Sequence, residues 1–467
     1  MMRYIFTLSR YALLPIVFLL TNSCGKDFLD LKPYESLAVE EATKTLDDLD
    51  VLLRGVYDQY QNSDYYGRYF ILVPDVMSDD VKQNASANRA KEWAEYNGNA
   101  LDFIPEEIWT EVYEAINRAN TVINANIAVP PTAETRKNQI VGEALALRAL
   151  SHFDLVRIYA QHYGYTDDNS HLGIPYVKEF DQNAEPARMS VREVYDNILA
   201  DLDEAIRLMS DEFDANRMNK IAAQAILARV YLYMSDWQNA ANMATQVIES
   251  GVVSLTPTEA YVDAWRSGTP PDGIFSIAFD DIDNNGSNAL GRMYIVEGYG
   301  DYLPALDLVN LIDSSDVRIQ LFKNTGPGGL FGDLRVDKFP SVIGDDDIPV
   351  VRLSEIYLIR AEARAMLGDE DGARADVNVI RLRANPNATP ITSSGQQLLD
   401  DIEREKRIEL MFEGHRLWEL MRKKRGVYRN DCTSVICEIP YPNDRFILPI
   451  PQAEIDANRN MVQNPGY

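Results

Sequence analysis

Two stretches of this chain, Ala228–Val247 and Ala361–Ile380, repeat one pattern at an offset of 133 residues. Ala228 corresponds to Ala361, Met234 to Leu367, Asp236 to Asp369, Ala240 to Ala373 and Val247 to Ile380. Small residues at helical spacing let two helices approach closely, and a turn of the Gly/Asp type between them reverses the chain. The pattern therefore predicts a pair of helical hairpins, units that bury their apolar faces only by stacking on neighbours.

Such hairpins are of the tetratricopeptide type, although they do not follow one another in a strict tandem. The alternative is two unrelated helical hairpins. Other segments extend the helical frame. Ser190-Val191-Arg192-Glu193 is a capping box, in which the Ser caps a free N–H and Glu193 reaches back. Val191, Val194, Ile198, Leu202, Ala205, Ile206 and Met209 then recur at helical spacing. Ile108, Val112, Ile116, Ala119 and Ile123 form a similar stripe, opened by Pro105-Glu106-Glu107. Residues from Glu143 to Ala160 are apolar on more than one side, which predicts a helix buried between neighbours. Residues 161–189 and 250–350 differ in character, being rich in Gly, Pro, Asn and Asp with short strand-like pieces such as 274–279. The expected fold is mostly α, a helical repeat scaffold carrying a loop-rich second subdomain with short strands.

The N-terminus predicts export. Arg3 and Arg10 occur without an acid, an apolar run spans Tyr11 to Leu20, and Thr21, Asn22 and Ser23 precede Cys24. This is the layout of a secretory signal peptide over residues 1–23, and the run is shorter than the roughly 20 residues of a membrane span. A cysteine at this point is similar to a bacterial lipobox, with Leu20 one residue further from the cysteine than usual; Cys24 is then the lipidated first residue of a mature domain over 24–467. The alternative is a plain signal peptide beside an unrelated cysteine.

Charge and motifs narrow the function classes. The 467 residues carry 45 Lys+Arg against 72 Asp+Glu, a formal net charge of -27, which argues against nucleic acid as a partner. Three Cys and four His leave little for a metal cage, and no HExxH, phosphate loop or GxSxG motif occurs. No cofactor, metal or catalytic residue is expected. Asp281-Ile-Asp283-Asn-Asn285-Gly286 imitates the start of a calcium loop, yet its twelfth position is Arg292 where a bidentate Glu belongs, so it reads as a turn. Asp345-Asp346-Asp347 reads as a solvated acidic loop. Cys432 and Cys437 lie in a turn-rich stretch that would meet oxidising conditions; they form a disulfide or remain free thiols. The alternating charges of Glu403–Arg416 read as i,i+3 and i,i+4 ion pairs with a structural role.

Several further motifs occur in one order along the chain. They are Cys24 with Asp27-Phe-Leu-Asp30, then Trp109, Tyr113 and Asn120, then Glu143 to Arg157 and Gly173-Ile-Pro-Tyr176. Ala228-Arg-Val-Tyr-Leu-Tyr233, Arg352 to Tyr357, Ala361-Glu-Ala363, Glu403 to Arg416 with Trp418, and Gln463-Asn-Pro-Gly-Tyr467 complete the set. In these the chain resembles the SusD/RagB family of Bacteroidetes outer-membrane lipoproteins. The resemblance implies a surface-exposed, lipid-anchored, non-catalytic protein. It would sit over a TonB-dependent transporter of the SusC/RagA kind and deliver glycans, or sometimes peptides, into it. A glycoside hydrolase using paired carboxylates is the reading from another class.

Two groups of residues suit sugar recognition, which needs an aromatic plane for the apolar sugar face and polar groups for hydroxyls. The first is the polar loop 75–97 with Asp79, Arg89, Trp93, Tyr96 and Asn97, a region that contributes to ligand sites in the resembling family. The second is a Gly-rich loop with Arg292, Tyr294, Tyr299 and Tyr302. The alternative for both is packing against the helices. Trp93 is the expected stacking platform.

Overall fold

The computed structural model describes residues 43–85, 87–181, 183–325 and 334–467; the export segment and Cys24 lie outside them. Its principal helices are α1 Leu46–Gln61, α2 Tyr69–Met77, α3 Phe103–Asn124, α4 Glu134–Tyr159, α5 Val191–Leu208, α6 Lys220–Tyr233, α7 Trp237–Glu249 and α8 Thr258–Arg266, followed by α9 Leu353–Met366, α10 Glu370–Ala384, α11 Gly395–Glu409 and α12 Arg416–Arg422. Each long helix packs on a near neighbour in sequence: α1 on α3, α3 on α4, α4 on α5, then α6, α7, α9 and α10 in turn. The result is the helical repeat frame that the periodicity predicts.

The repeated pattern is visible atom by atom. α6/α7 and α9/α10 are both hairpins, and each turn holds one residue in the left-handed region, Ser235 at φ 58° and Gly368 at φ 84°. The next residue caps the second helix in both: Asp236 accepts from the Asn239 amide and Asp369 from the Gly372 amide. Ser190 caps α5, and Glu193 returns the bond at 2.9 Å. α4 is buried on nearly every side from Ile140 onward, as expected for a helix between neighbours. Its polar residues are paired there: Arg148 forks onto Asp201 at 2.7 and 2.8 Å and donates to Asn120 at 2.9 Å. In α3 the stripe ends differently, with Val122 in the core and Ile123 only half-buried.

The loop-rich subdomain is held by short antiparallel pairs. β1 Val81–Gln83 pairs with β3 Tyr302–Pro304, and β2 Gly273–Ile277 with β6 Ile348–Arg352. β4 Phe322–Asn324 pairs with β5 Leu334–Val336, and β7 Val427–Tyr428 with β8 Glu438–Ile439. Cys432 and Cys437 are joined across the β7–β8 loop, with Cα atoms 5.6 Å apart. That loop is fastened to β1 by the Lys82–Asp431 ion pair at 2.6 Å and by Thr433, which donates to the Gln83 carbonyl at 2.6 Å.

Residues 280–286 form the turn the sequence suggested. Asp280 accepts from the amides of Ile282 and Asp283, and no cluster of metal-ligating side chains occurs among the described residues. The acidic run 345–347 is not a solvated loop. Asp346 is 8% exposed and accepts from the Ser341 amide, and Asp347 accepts from the Phe279 amide. Burial, with Asp345 and Asp347 beside it, pushes the Asp346 carboxyl up to about 7. A raised carboxyl favours folding while protonated, so its stabilisation is fully present below the unfolded value of about 4 and is lost progressively as pH rises from there through about 7. Asp346→Asn should therefore stabilise the protein at pH 8 by on the order of 1 kcal/mol, and by progressively less as pH falls from about 7 toward about 4, as read by thermal melts across that range.

Candidate functional site

Recognition chemistry must be sought where polar and aromatic groups reach solvent together. The pairing of β1 with β3 produces one such place by bringing two distant loops into register, Gln83 opposite Tyr302. Just beyond it the Asn84 amide donates to the Asp301 carbonyl at 2.8 Å and its side chain to the Gly300 carbonyl at 3.0 Å. Gly300 has φ 57° and lies against Arg335; a Cβ there would stand 2.9 Å from the guanidinium. Only glycine meets both conditions easily.

This register sets Arg89 over the half-exposed ring of Tyr299, its guanidinium carbon 3.2 Å from the ring centroid. The same guanidinium pairs with Asp301 at 3.1 Å, and the Tyr302 hydroxyl donates to the Arg89 carbonyl at 2.5 Å. Ser287 beside its hydroxyl and Arg89 over its ring hold the Tyr299 phenol below its usual value. Beneath the patch lies Tyr69, a buried ring whose phenol burial pushes above its usual value. Arg68 lies 4.0 Å from the Tyr69 ring centroid and donates to Asn288 at 3.2 Å. Phe103 meets Tyr69 edge-on at 6.0 Å and is itself 53% exposed. Tyr299 and Phe103 supply aromatic surface and Arg89 and Asn288 supply directional donors and acceptors, while Arg68 is buried beneath them.

The other expected residues lie elsewhere. Trp93 is 1% exposed and sits beneath Gly98, where any Cβ would come within 2.6 Å of the indole, so the stacking face expected there is absent. Tyr96 is buried, donates its hydroxyl to the Met77 carbonyl and packs edge-on against Phe446 at 6.1 Å. Tyr294 is buried too, and donates to Asp75 at 3.1 Å. Burial of these rings removes a large apolar area from water, which outweighs any gain from leaving them in solvent. Asn97 is exposed, but its amide is 3.4 Å from Glu95 rather than in the patch. Of the expected set, Arg89 and Tyr299 are brought together. Phe103 and Asn288 were missed because they lie outside the two loops, and Asp301, between Tyr299 and Tyr302, because its partner Arg89 comes from the other loop.

Asp79 is a buried anchor. Arg416 forks onto it at 2.7 and 3.0 Å, with Arg407 at 3.4 Å. Its neighbour Asp80 takes Arg407 at 2.6 Å. Segment 403–416 is thus structural, but its ion pairs run between elements instead of along one helix. Glu409 meets Arg352 at 3.0 Å, Arg383 at 2.7 Å and Arg318 at 3.2 Å; Glu413 meets Lys338 and Arg352 at 2.6 Å each. Burial alone would raise the Glu409 carboxyl, yet the three arginines drive it well below the usual carboxylate range. This network holds the start of loop 78–97, and with it the position of Arg89.

The fold and patch together define a helical-repeat protein whose exposed aromatic and cationic surface is borne by its loop subdomain. Comparison with known proteins gives the family. A family model described as "Starch-binding associating with outer membrane" matches residues 27–232, and the model of the SusD family matches residues 342–467. A SusD-like protein of Formosa agariphila is 26% identical over 514 aligned positions, spanning 96% of each chain. Starch-binding protein SusD of Bacteroides thetaiotaomicron is 36% identical over 130 residues, covering 26% of this chain and 22% of its own. The crystal structure of a putative sugar-binding protein from Bacteroides vulgatus superposes with a TM-score of 0.85 at 31% identity, over 91% of this chain and 99% of that one. The chain belongs to the SusD family of outer-membrane-associated proteins. No described helix is long and apolar enough to cross a membrane.

Proposed function

We propose that this protein is the lipid-anchored, surface-exposed glycan-binding subunit of an outer-membrane uptake system, and that it passes an oligosaccharide to a TonB-dependent transporter of the SusC/RagA kind. The observation that carries the reading is the assembly of Arg89 and the partly exposed Tyr299, from two segments some two hundred residues apart, over the buried carboxylate of Asp301. A partly exposed aromatic ring beside a guanidinium that the buried Asp301 holds in place suits the apolar face and the hydroxyls of a pyranose. The sugar-binding description of the Bacteroides vulgatus relative supports the same ligand class.

Purified protein on affinity gels with neutral gluco-, xylo- and mannooligosaccharides tests the function. Retention of one class without new reducing ends is the expected result. Cleavage would establish a hydrolase instead, and retention of peptides alone would establish the peptide-binding alternative. The anchor has its own test. Bacterial lipoproteins hold membranes with several acyl chains, whereas one chain binds only marginally. Cys24→Ala should shift the protein from the membrane fraction to the soluble fraction; unchanged fractionation would contradict the lipobox reading of residues 1–24.

A further inference from the structure

The chain has five tryptophans. Trp93, Trp109, Trp265 and Trp418 are each 5% exposed or less. Trp237 alone reaches solvent, half-buried at the first turn of α7. It lines an open cleft of about 300 Å³ with Met366, Leu399, Glu403, Lys423 and Arg425, on the repeat frame and sharing no lining residue with the Arg89–Tyr299 patch.

The hairpin does not require this indole. At the repeat offset Trp237 corresponds to Glu370, which follows the same left-handed turn and the same capping Asp in the sister hairpin. Both turns close with equal geometry, so the tryptophan serves something other than the turn. Its surroundings are chemically specific. Met366 is 45% exposed and Leu399 half-buried, which adds apolar wall beside the indole. Glu403 is clamped by Arg416 at 3.1 Å, by Lys423 at 3.0 Å and by Arg425. Arg422 and Lys423 hold Glu362 at 2.5 and 3.5 Å. Gln396 donates to Asp400 at 2.8 Å on the rim. The three cations lining the cleft balance its three carboxylates, on a chain whose formal charge is -27. A charged ligand gains nothing from a neutral cleft. A planar indole bordered by fixed, paired acceptors and guanidinium donors fits a neutral ring bearing vicinal hydroxyls.

We propose that the Trp237 cleft is a second saccharide subsite, taking one neutral pyranose unit with its apolar face on the indole and its hydroxyls on Glu403 and Arg425. The proposal rests on the glycan-binding reading above but on different residues. Two sites on one body would raise avidity for a long chain without any new contact at either.

Iodide quenching of tryptophan fluorescence reads this site directly, since the accessible indole among the described residues is Trp237. The probes are maltohexaose, cellohexaose and mannohexaose, added to the full mature chain carrying Tyr299→Ala. One of them should shield the indole from iodide. Shielding should require about tenfold more sugar in Arg425→Ala, and the quenchable fraction should vanish in Trp237→Glu, which installs the sister hairpin's residue. Arg425→Ala keeps the test valid if Trp237→Glu loses its fold. A saccharide that binds the wild-type protein, loses all binding on Tyr299→Ala and never alters quenching would overturn the subsite while sparing the glycan reading. Failure of every oligosaccharide to bind wild-type protein would overturn both.

Discussion

Glu409→Ala is expected to lower the unfolding free energy by about 3–5 kcal/mol, a large part of the roughly 5–15 kcal/mol typical of a folded domain. Glu409 is fully buried and faces Arg318, Arg352 and Arg383; its removal leaves three guanidinium groups without their shared counter-charge. Asp371→Ala is the matched control. Asp371 pairs with Arg374 at 2.5 Å but its side chain is 96% exposed, so its loss should cost well under about 1 kcal/mol. Urea titrations of both variants check the contrast, and equal small losses would show that the buried network contributes no more than a surface pair. The network also sets an acid limit. Glu409, Glu413 and Glu362 all titrate below their usual values despite burial, because cations surround them. Their stabilisation is fully present above about pH 4.5 and is lost as pH falls toward their folded values.

Trp93→Ala should be nearly as damaging, at about 3–5 kcal/mol, the scale for removing a fully buried indole. The ring packs beneath Gly98 and is 1% exposed, so truncation opens a cavity that the neighbouring backbone cannot close without moving. Loop 78–97 would loosen with it, and saccharide binding would fall for an indirect reason. Denaturant melts separate the two causes: lost binding with unchanged stability would place Trp93 in the ligand site after all.

That contrast shows where the sequence is informative. The hairpins were legible because a helix repeats its contacts every three or four residues, and Asp236 and Asp369 mark equivalent turns. The buried character of α4 was legible for the same reason. The direction in which loop side chains point was not. Composition gives residues 75–97 a Trp, a Tyr, three Asp and an Arg, and only tertiary packing turns Trp93 and Tyr96 inward and Arg89 outward. The patch depends on β1 and β3, three residues each, and a strand that short has no alternation to read. The glycine at 98 was the available clue, since it permits the close approach of a large buried ring. The charges of 403–416 were correctly read as structural, but spacing along one helix could not reveal partners such as Asp79 and Arg352 on other segments.

Arg89 and Tyr299 form the proposed centre of recognition, and the sharpest test is calorimetric titration of a retained oligosaccharide into wild-type and Tyr299→Ala protein. Tyr299 is partly exposed, so its truncation should cost no more than about 1 kcal/mol of stability. Affinity should nonetheless fall about thirtyfold or more at this site, the loss an aromatic anchor carries. Undiminished affinity in a fully folded Tyr299→Ala variant would contradict that assignment.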